Sequence, residues 1–290
     1  MRMRPFLICL VLLAASAPSI ARTPAARVLD QAVNTLAVKG SIEIDTQGKV
    51  QRYTLEHPEA YSGAVRDMLD RIVPQWTFRP VLVDGEPRPA RSAMYLRLRA
   101  DPIGNDQFRI VVTSAAFGAD EDTAPGTQVA VDVRSMAPPK YPKDEMIARI
   151  GAQVLVVLRI GRDGRVEDAI AEQTNLDQLG TPKAMARWRR DFEAGALAGL
   201  KHWTFVTPTA GPEAGAPYWS VRIPVTYTPA RGKSPAPGQW ESYVPGPRRP
   251  VPWATDEEQA LADAGSDALP GSGIFPLKPA LQLMTPLNAG

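Results

Sequence analysis

The sequence predicts an α+β fold built from two copies of one small unit, a β-hairpin followed by a helix and a returning strand. Three observations carry that reading. Two apolar runs break at a glycine turn, at Gln47-Gly48 and Asp163-Gly164, and glycine takes the positive φ of a tight hairpin without steric cost. Each hairpin is followed by apolar residues at helical spacing. Both helical stripes then end in the same tripeptide, Trp76-Thr77-Phe78 and Trp203-Thr204-Phe205, with proline close behind at Pro80 and Pro208.

In chain order, a short helix is expected at about 27–38, then the hairpin from Gly40 through Leu55. Val65, Met68, Ile72 and Trp76 share one helical face, and Met94, Leu96 and Leu98 alternate in the closing strand. The second copy repeats this: a helix at about 143–150, a hairpin from Val154 to Val166, and a helix opened by Thr181-Pro182. In that pair threonine caps and proline takes the first helical position, where its missing N–H costs nothing. Met185, Trp188, Phe192, Ala196 and Trp203 form its apolar stripe. The last strand alternates Trp219, Val221, Ile223, Val225 and Tyr227 against Ser220, Arg222, Thr226 and Thr228, a half-buried strand with one wet face. Right-handed crossover places the first hairpin strand in the middle of each sheet and the last strand at an edge, where Pro224 is tolerated.

The domains expected are 1–21, 27–100, 101–135, 136–228 and 229–290. Within 101–135, Phe108–Thr113 and Val129–Val133 read as strands able to pair with a sheet edge of either copy, and 118–126 reads as an acidic loop. The last segment holds 11 prolines and 7 glycines in 62 residues, a composition typical of partly disordered chain, with one short helix at Asp256–Ala264. Two readings fit its rings. Trp240, Tyr243, Trp253 and Phe275 drape over the second domain, or Tyr243–Pro252 docks as polyproline II on a partner.

Met1–Arg4 is a basic start, Phe6–Ala17 an apolar run, and Ser19-Ile20-Ala21 a small-residue cleavage site. This is a secretory signal pattern with cleavage after Ala21, which removes Cys9 and places the chain in the periplasm. The alternative is an inner-membrane signal anchor facing the periplasm. It is disfavoured because twelve helical residues span only about 18 Å of a roughly 30 Å hydrocarbon core.

Net charge argues against two partner classes. The chain carries 33 Lys+Arg against 31 Asp+Glu, and Arg2 and Arg4 account for the excess. A neutral body offers no counterion-release term for nucleic acid and no polybasic attraction to lipid.

Pro139-Lys140-Tyr141-Pro142, Gly151 with its apolar strand, Asp163-Gly164-Arg165-Val166, Trp203-Thr204-Phe205 and Ile223-Pro-Val-Thr-Tyr227 together resemble the TonB C-terminal domain family. Residues 27–100 resemble a second, degenerate copy. The resemblance implies two domains, each a three-stranded antiparallel sheet with two helices on one face. It also implies a non-catalytic periplasmic protein that binds extended peptide segments of outer-membrane transporters by β-strand addition. The partner would pair with strand 218–228, where Ser220, Arg222 and Thr226 face outward. About five backbone hydrogen bonds at roughly 1 kcal/mol each barely exceed an association cost of about 4 kcal/mol or more, so binding is expected to be weak. With no anchor and spacer expected ahead of it, the chain is not expected to transmit force. The second function reading is a structural or regulatory cell-envelope scaffold whose edges are closed by its own linker or tail.

No catalytic residue, cofactor or metal is expected. With two histidines and one cysteine the chain is poor in metal ligands, and it has no nucleophile elbow, P-loop or dinucleotide fingerprint. His57 and His202 read as structural or solvated, Lys201 and His202 complementing a helix C-terminus. Arg187, Arg189 and Arg190 read as a solvated helix face, as do Arg88, Arg91, Arg97 and Arg99 in the first copy.

Overall fold

A computed structural model describes residues 32–83, 85–105, 107–118, 126–230, 232 and 235–288. The expected signal segment with Cys9 and Ala21, and residues 119–125 of the expected acidic loop, lie outside the described residues.

The first unit runs β1 (Val33–Ile44), β2 (Val50–Leu55), α1 (Gly63–Ile72), a small hairpin of β3 (Val81–Val83) and β4 (Glu86–Arg88), then β5 (Ala90–Gly104) and β6 (Gln107–Gly118). Its antiparallel sheet has the order β2-β1-β5-β6. Leu36, Val38 and Ile42 on β1 and Met94, Leu96 and Leu98 on β5 face α1, whose Val65, Leu69 and Ile72 close the core with Trp76 and Phe78. Ser62 caps α1, its hydroxyl accepting from the Val65 N–H.

After the two-residue strand β7 (Ala130–Val131), the second unit runs α2 (Lys143–Ala148), β8 (Ala152–Gly161), β9 (Val166–Leu176), α3 (Pro182–Leu200), β10 (Phe205–Val206) and β11 (Tyr218–Tyr227). Val154, Val156, Leu158 and Ile160 on β8 meet Met185, Phe192, Ala196 and Leu200 of α3. Thr181 accepts from the Ala184 N–H, with proline at the first helical turn as expected.

The repeat extends to single hydrogen bonds. Gly48 and Gly164 both sit at positive φ, +80° and +75°. Phe78 N–H donates to Gly48 O at 2.8 Å, and Phe205 N–H donates to Gly164 O at 2.8 Å. Lys49 bridges Thr77 just as Arg165 bridges Thr204. Each Trp-Thr-Phe run therefore clasps the hairpin turn of its own unit, and a Cβ on either glycine would overlap the phenylalanine carbonyl.

Four expectations need correction. Residues 33–38 are strand, not helix, because Leu36 and Val38 alternate into the core while β1 pairs with β5 along 35–44. Neither sheet stops at three strands, and among the described residues the first unit has one α-helix rather than two. Strand β6, from the connecting segment, adds outside β5. In the second unit β13 (Phe275–Pro276) adds outside β11, giving β13-β11-β8-β9. Finally, the described part of 229–290 is ordered on both units. Strand β12 (Glu241–Tyr243) pairs with Val33–Thr35, and α4 (Asp256–Gly265) is capped by a Thr255/Glu258 capping box.

Helix α4 fills the space between the back faces of the two sheets. Ala262 packs with Val157 of β8, Val251 and Leu277. On the other side, Ser114 of β6 donates to Ala264 O at 2.8 Å, and Arg97 of β5 donates to Asp267 O just beyond the helix. The tail thus covers the face of β11 read as wet at Ser220 and Arg222, and Thr226 and Thr228 stay exposed.

Candidate interaction edge

Strand β11 is held by β8 on one side along its whole length, from Tyr218↔Gly161 to Tyr227↔Ala152. On the other side, Leu277 N–H donates to Ser220 O at 2.9 Å. That bond fixes which residues turn their backbone groups outward. By the alternation of an antiparallel strand they are Ser220, Arg222, Pro224 and Thr226. Pro224 therefore removes a donor from the outer edge itself, the edge a visiting chain would need.

The three residues expected to greet a partner are brought together there, and the protein's own tail engages all of them. Arg222 pairs in register with Phe275, and the residue is 3% exposed. The guanidinium forms two bonds of 2.7 Å to Glu172 on β9 and a third, at 3.2 Å, to Ala262 O near the end of α4. Ser220 Oγ accepts from the Trp253 indole N–H at 3.0 Å. Thr226 Oγ1 donates to Gly271 O at 2.7 Å. The expectation of an open edge at 218–228 is corrected at Ser220–Arg222, which tail residues 275–277 pair, while Thr226 stays exposed and holds the tail through one side-chain bond. A half-wet strand with one polar face offers attachment points to any chain, and a covalently linked tail reaches them at high effective concentration.

The tail also engages β9 and β6. The outer side of β9 carries the Pro-rich run. Leu176 and Val244 exchange both backbone bonds at 3.0 and 2.8 Å, and Arg249 N–H donates to Glu172 O at 2.9 Å. Gln173 donates its amide to Gly246 O at 3.0 Å. A Cβ at Gly246 would overlap Thr174 O, which is why glycine lies between the prolines. So Tyr243–Pro252 docks on this molecule rather than standing free. On β6 the Asn288 side chain satisfies both backbone groups of Val112, at 2.8 and 2.9 Å. Among the described strands, β2 pairs with β1 alone.

Several cations read as solvated are structural. Arg97 is 7% exposed and bonds Glu241 at 2.5 Å. Arg189 bonds the carbonyls of Thr174, Val244 and Pro245, and burial pulls its guanidinium below the usual value. Arg248 and Arg249 tie the Pro-rich run to Asp263, Asp267 and Glu193. Burial pushes the phenol of Tyr243, on the strand beside β1, up to about 12. The sequence reading missed Glu172, the partner of Arg222. Its signal was a lone acid inside the run Ala169-Ile-Ala-Glu-Gln-Thr174, where burial demands a countercharge.

His57 sits in a left-handed turn before Pro58 with Glu59 at 3.5 Å, and His202 is exposed beyond α3. Among the described residues no group of three His, Cys, Asp or Glu side chains is placed to hold a metal ion. No described helix is long and apolar enough to cross a membrane. An apolar cavity of about 230 Å³ lies between β6, α4 and the last tail residues, lined by Phe117, Leu269, Phe275, Leu281 and Leu287. Compared with known protein families, with curated proteins and with solved structures, the chain has no match.

Proposed function

We propose that this chain is a non-catalytic scaffold of the cell envelope. In our reading its two units follow the hairpin–helix–strand plan of TonB C-terminal domains, but with the recognition edges closed by the chain itself. One observation carries the choice of scaffold over peptide binder: the tail run Phe275–Leu277 lies on the outer edge of β11, with Arg222 buried beneath it. A binder that grips by strand addition needs that edge unpaired. Here a visitor would first have to displace the tail, and it would find no donor at Pro224.

The test is a titration of the full chain with extended peptides taken from the periplasmic ends of outer-membrane transporters. Backbone amide shifts would be followed on β11. The scaffold reading expects no saturable change at Ser220, Arg222 or Thr226 up to millimolar peptide. Saturable shifts along β11, with loss of the Leu277 N–H protection, would overturn it and restore peptide gripping with a displaceable tail.

A further inference from the structure

The apolar cavity beside β6 lies where the two units meet. The end of β6, with Ala116 and Phe117, forms one wall, and the last turns of α4, with Leu261 and Ala264, form another. Tail residues between Phe275 and Leu287 close it, and Arg222 of β11 adds to the lining from the second unit. Ligand sites favour such junctions, because two bodies that meet leave a concave space neither fills alone. Three residues of the tail wall are prolines, Pro276, Pro279 and Pro286. Their fixed φ leaves that wall few ways to fold inward and fill the space.

The chemistry of the lining narrows what it can hold. Its polar side chains are Arg222, Thr285 and Gln282. Arg222 spends its charge on Glu172 through two bonds of 2.7 Å, with a third bond of 3.2 Å to Ala262 O. Thr285 Oγ1 accepts from the Thr77 N–H at 2.7 Å. Only Gln282 is left to meet a polar group. A buried water needs two to four polar partners, and a buried charge needs a countercharge. The side chains of this lining supply neither. Its two rings are engaged as well, Phe117 edge-on with Trp76 and Phe78, and Phe275 edge-on with Tyr95. Leucine and proline carbons make up most of the remaining wall. An apolar cavity of about 150 Å³ takes up benzene, so on that scale about 230 Å³ has room for about nine carbons.

We propose that this cavity binds one unbranched aliphatic chain, about nine carbons of it inside and the head group outside beside Gln282. The proposal goes beyond the scaffold reading and does not rest on it, since an aliphatic chain needs no free strand edge. Recognition here is of the hydrocarbon, which a free fatty acid and the acyl chain of a lipid share. The tail that seals β11 then has a second role, as the wall of a site.

The test titrates the full chain with sodium alkanoates from pentanoate to dodecanoate, each below its micelle concentration, while leucine methyl signals are followed. Saturable shifts are expected at Leu261, Leu269, Leu281 and Leu287, and none at Leu158 in the second core. Affinity should rise by up to about fourfold per methylene, the gain from burying one CH₂, and should level off near about nine carbons. Vesicles of phosphatidylethanolamine and phosphatidylglycerol form a second arm. Vesicles that shift the same methyls assign the chain to a lipid, and alkanoate shifts without vesicle shifts assign it to a free acid. Ala116→Leu puts an isopropyl group into the space and should weaken the best alkanoate at least about tenfold by displacing about two methylenes. Ala264→Leu does the same from α4, should the strand variant not fold. No saturable shift at these methyls with any alkanoate or with vesicles would overturn the site. So would affinity that climbs through dodecanoate without levelling, or that is unchanged in every folded variant, since either marks partition onto the surface.

Discussion

Replacing Arg222 by methionine tests the closed edge at its most consequential point. The guanidinium makes two bonds of 2.7 Å to Glu172, whose side chain is fully buried, and one bond to Ala262 O. Charge-assisted bidentate pairs of this length are among the strongest polar contacts in proteins. The larger effect is on what remains. Without Arg222 the Glu172 carboxylate has no countercharge in the space between β9, β11 and α4. Removing one partner of a buried pair costs about 3–5 kcal/mol. Glu172→Met should cost a similar amount, for the mirrored reason. The double methionine variant leaves an apolar site of similar volume beside Val157 and Leu277, and it should return to within about 1 kcal/mol of the parent or exceed it. A double-mutant cycle by urea unfolding therefore expects coupling of several kcal/mol. Limited proteolysis supplies a second readout, since Arg222→Met alone releases the Ala262 contact and should speed cutting in the stretch 266–280. If either single variant lies within about 1 kcal/mol of the parent, the pair is solvated, the tail does not seal β11, and the scaffold reading loses its support.

Other outcomes follow from the same geometry. Gly164→Ala and Gly48→Ala should each destabilise by at least about 2 kcal/mol, because a left-handed non-glycine residue is strained and the new Cβ overlaps the clasping carbonyl. Gly85→Ala is the control, with the same sign of φ but open space around it, and thermal melts should show about half that loss or less. Phe78→Ala should cost about 3–5 kcal/mol, since its ring is fully buried edge-on to Phe117, and denaturant unfolding measures it. Truncation after Pro279 removes Leu281 and Asn288, so exchange protection should fall at Val112 of β6 while β8 keeps its own. If the first 21 residues act as a cleaved signal, N-terminal sequencing of the protein purified from cells should begin at Arg22, and a start at Met1 would favour the signal anchor.

The hairpins, the two helical stripes and the returning strands were legible because each is a local pattern. A glycine turn, a 3.6-residue stripe and an alternating strand need only a few neighbouring residues to declare themselves. The Trp-Thr-Phe repeat was visible as letters, but its role was not. Nothing near Phe78 in sequence says that its N–H reaches Gly48. The misreadings at Arg97, Arg189 and Arg222 share one cause. An arginine opposite the apolar face of its own strand or helix looks solvated when judged by that element alone, and each of these three has a partner 50 to 170 residues away, at Glu172, Val244 and Asp267. The strand at 33–38 was mistaken for helix because Ala32, Leu36 and Ala37 suit either state. The pairing partners that decide it belong to β5 and β12.

The tail gives the physical reason why composition misled. A segment with so much proline and glycine cannot bury a face of its own, and alone it would remain unfolded. That argument concerns self-sufficiency, and this tail is not required to be self-sufficient. The two units leave unpaired strand edges and back faces carrying Arg97, Glu172 and Arg222, surfaces that would be costly or adhesive if left open. A proline-rich run needs few hydrogen bonds of its own, so it can lie along β9 while offering carbonyls such as Gly246 O to Gln173. Its scattered apolar residues reach three separate gaps: Val244 in the second core, Val251 and Leu277 beside Val157, and Leu281 in the first core. The low complexity read as disorder is what lets one chain segment cross between two sheets and bond to β1, β6, β9 and β11 without building a core between the crossings.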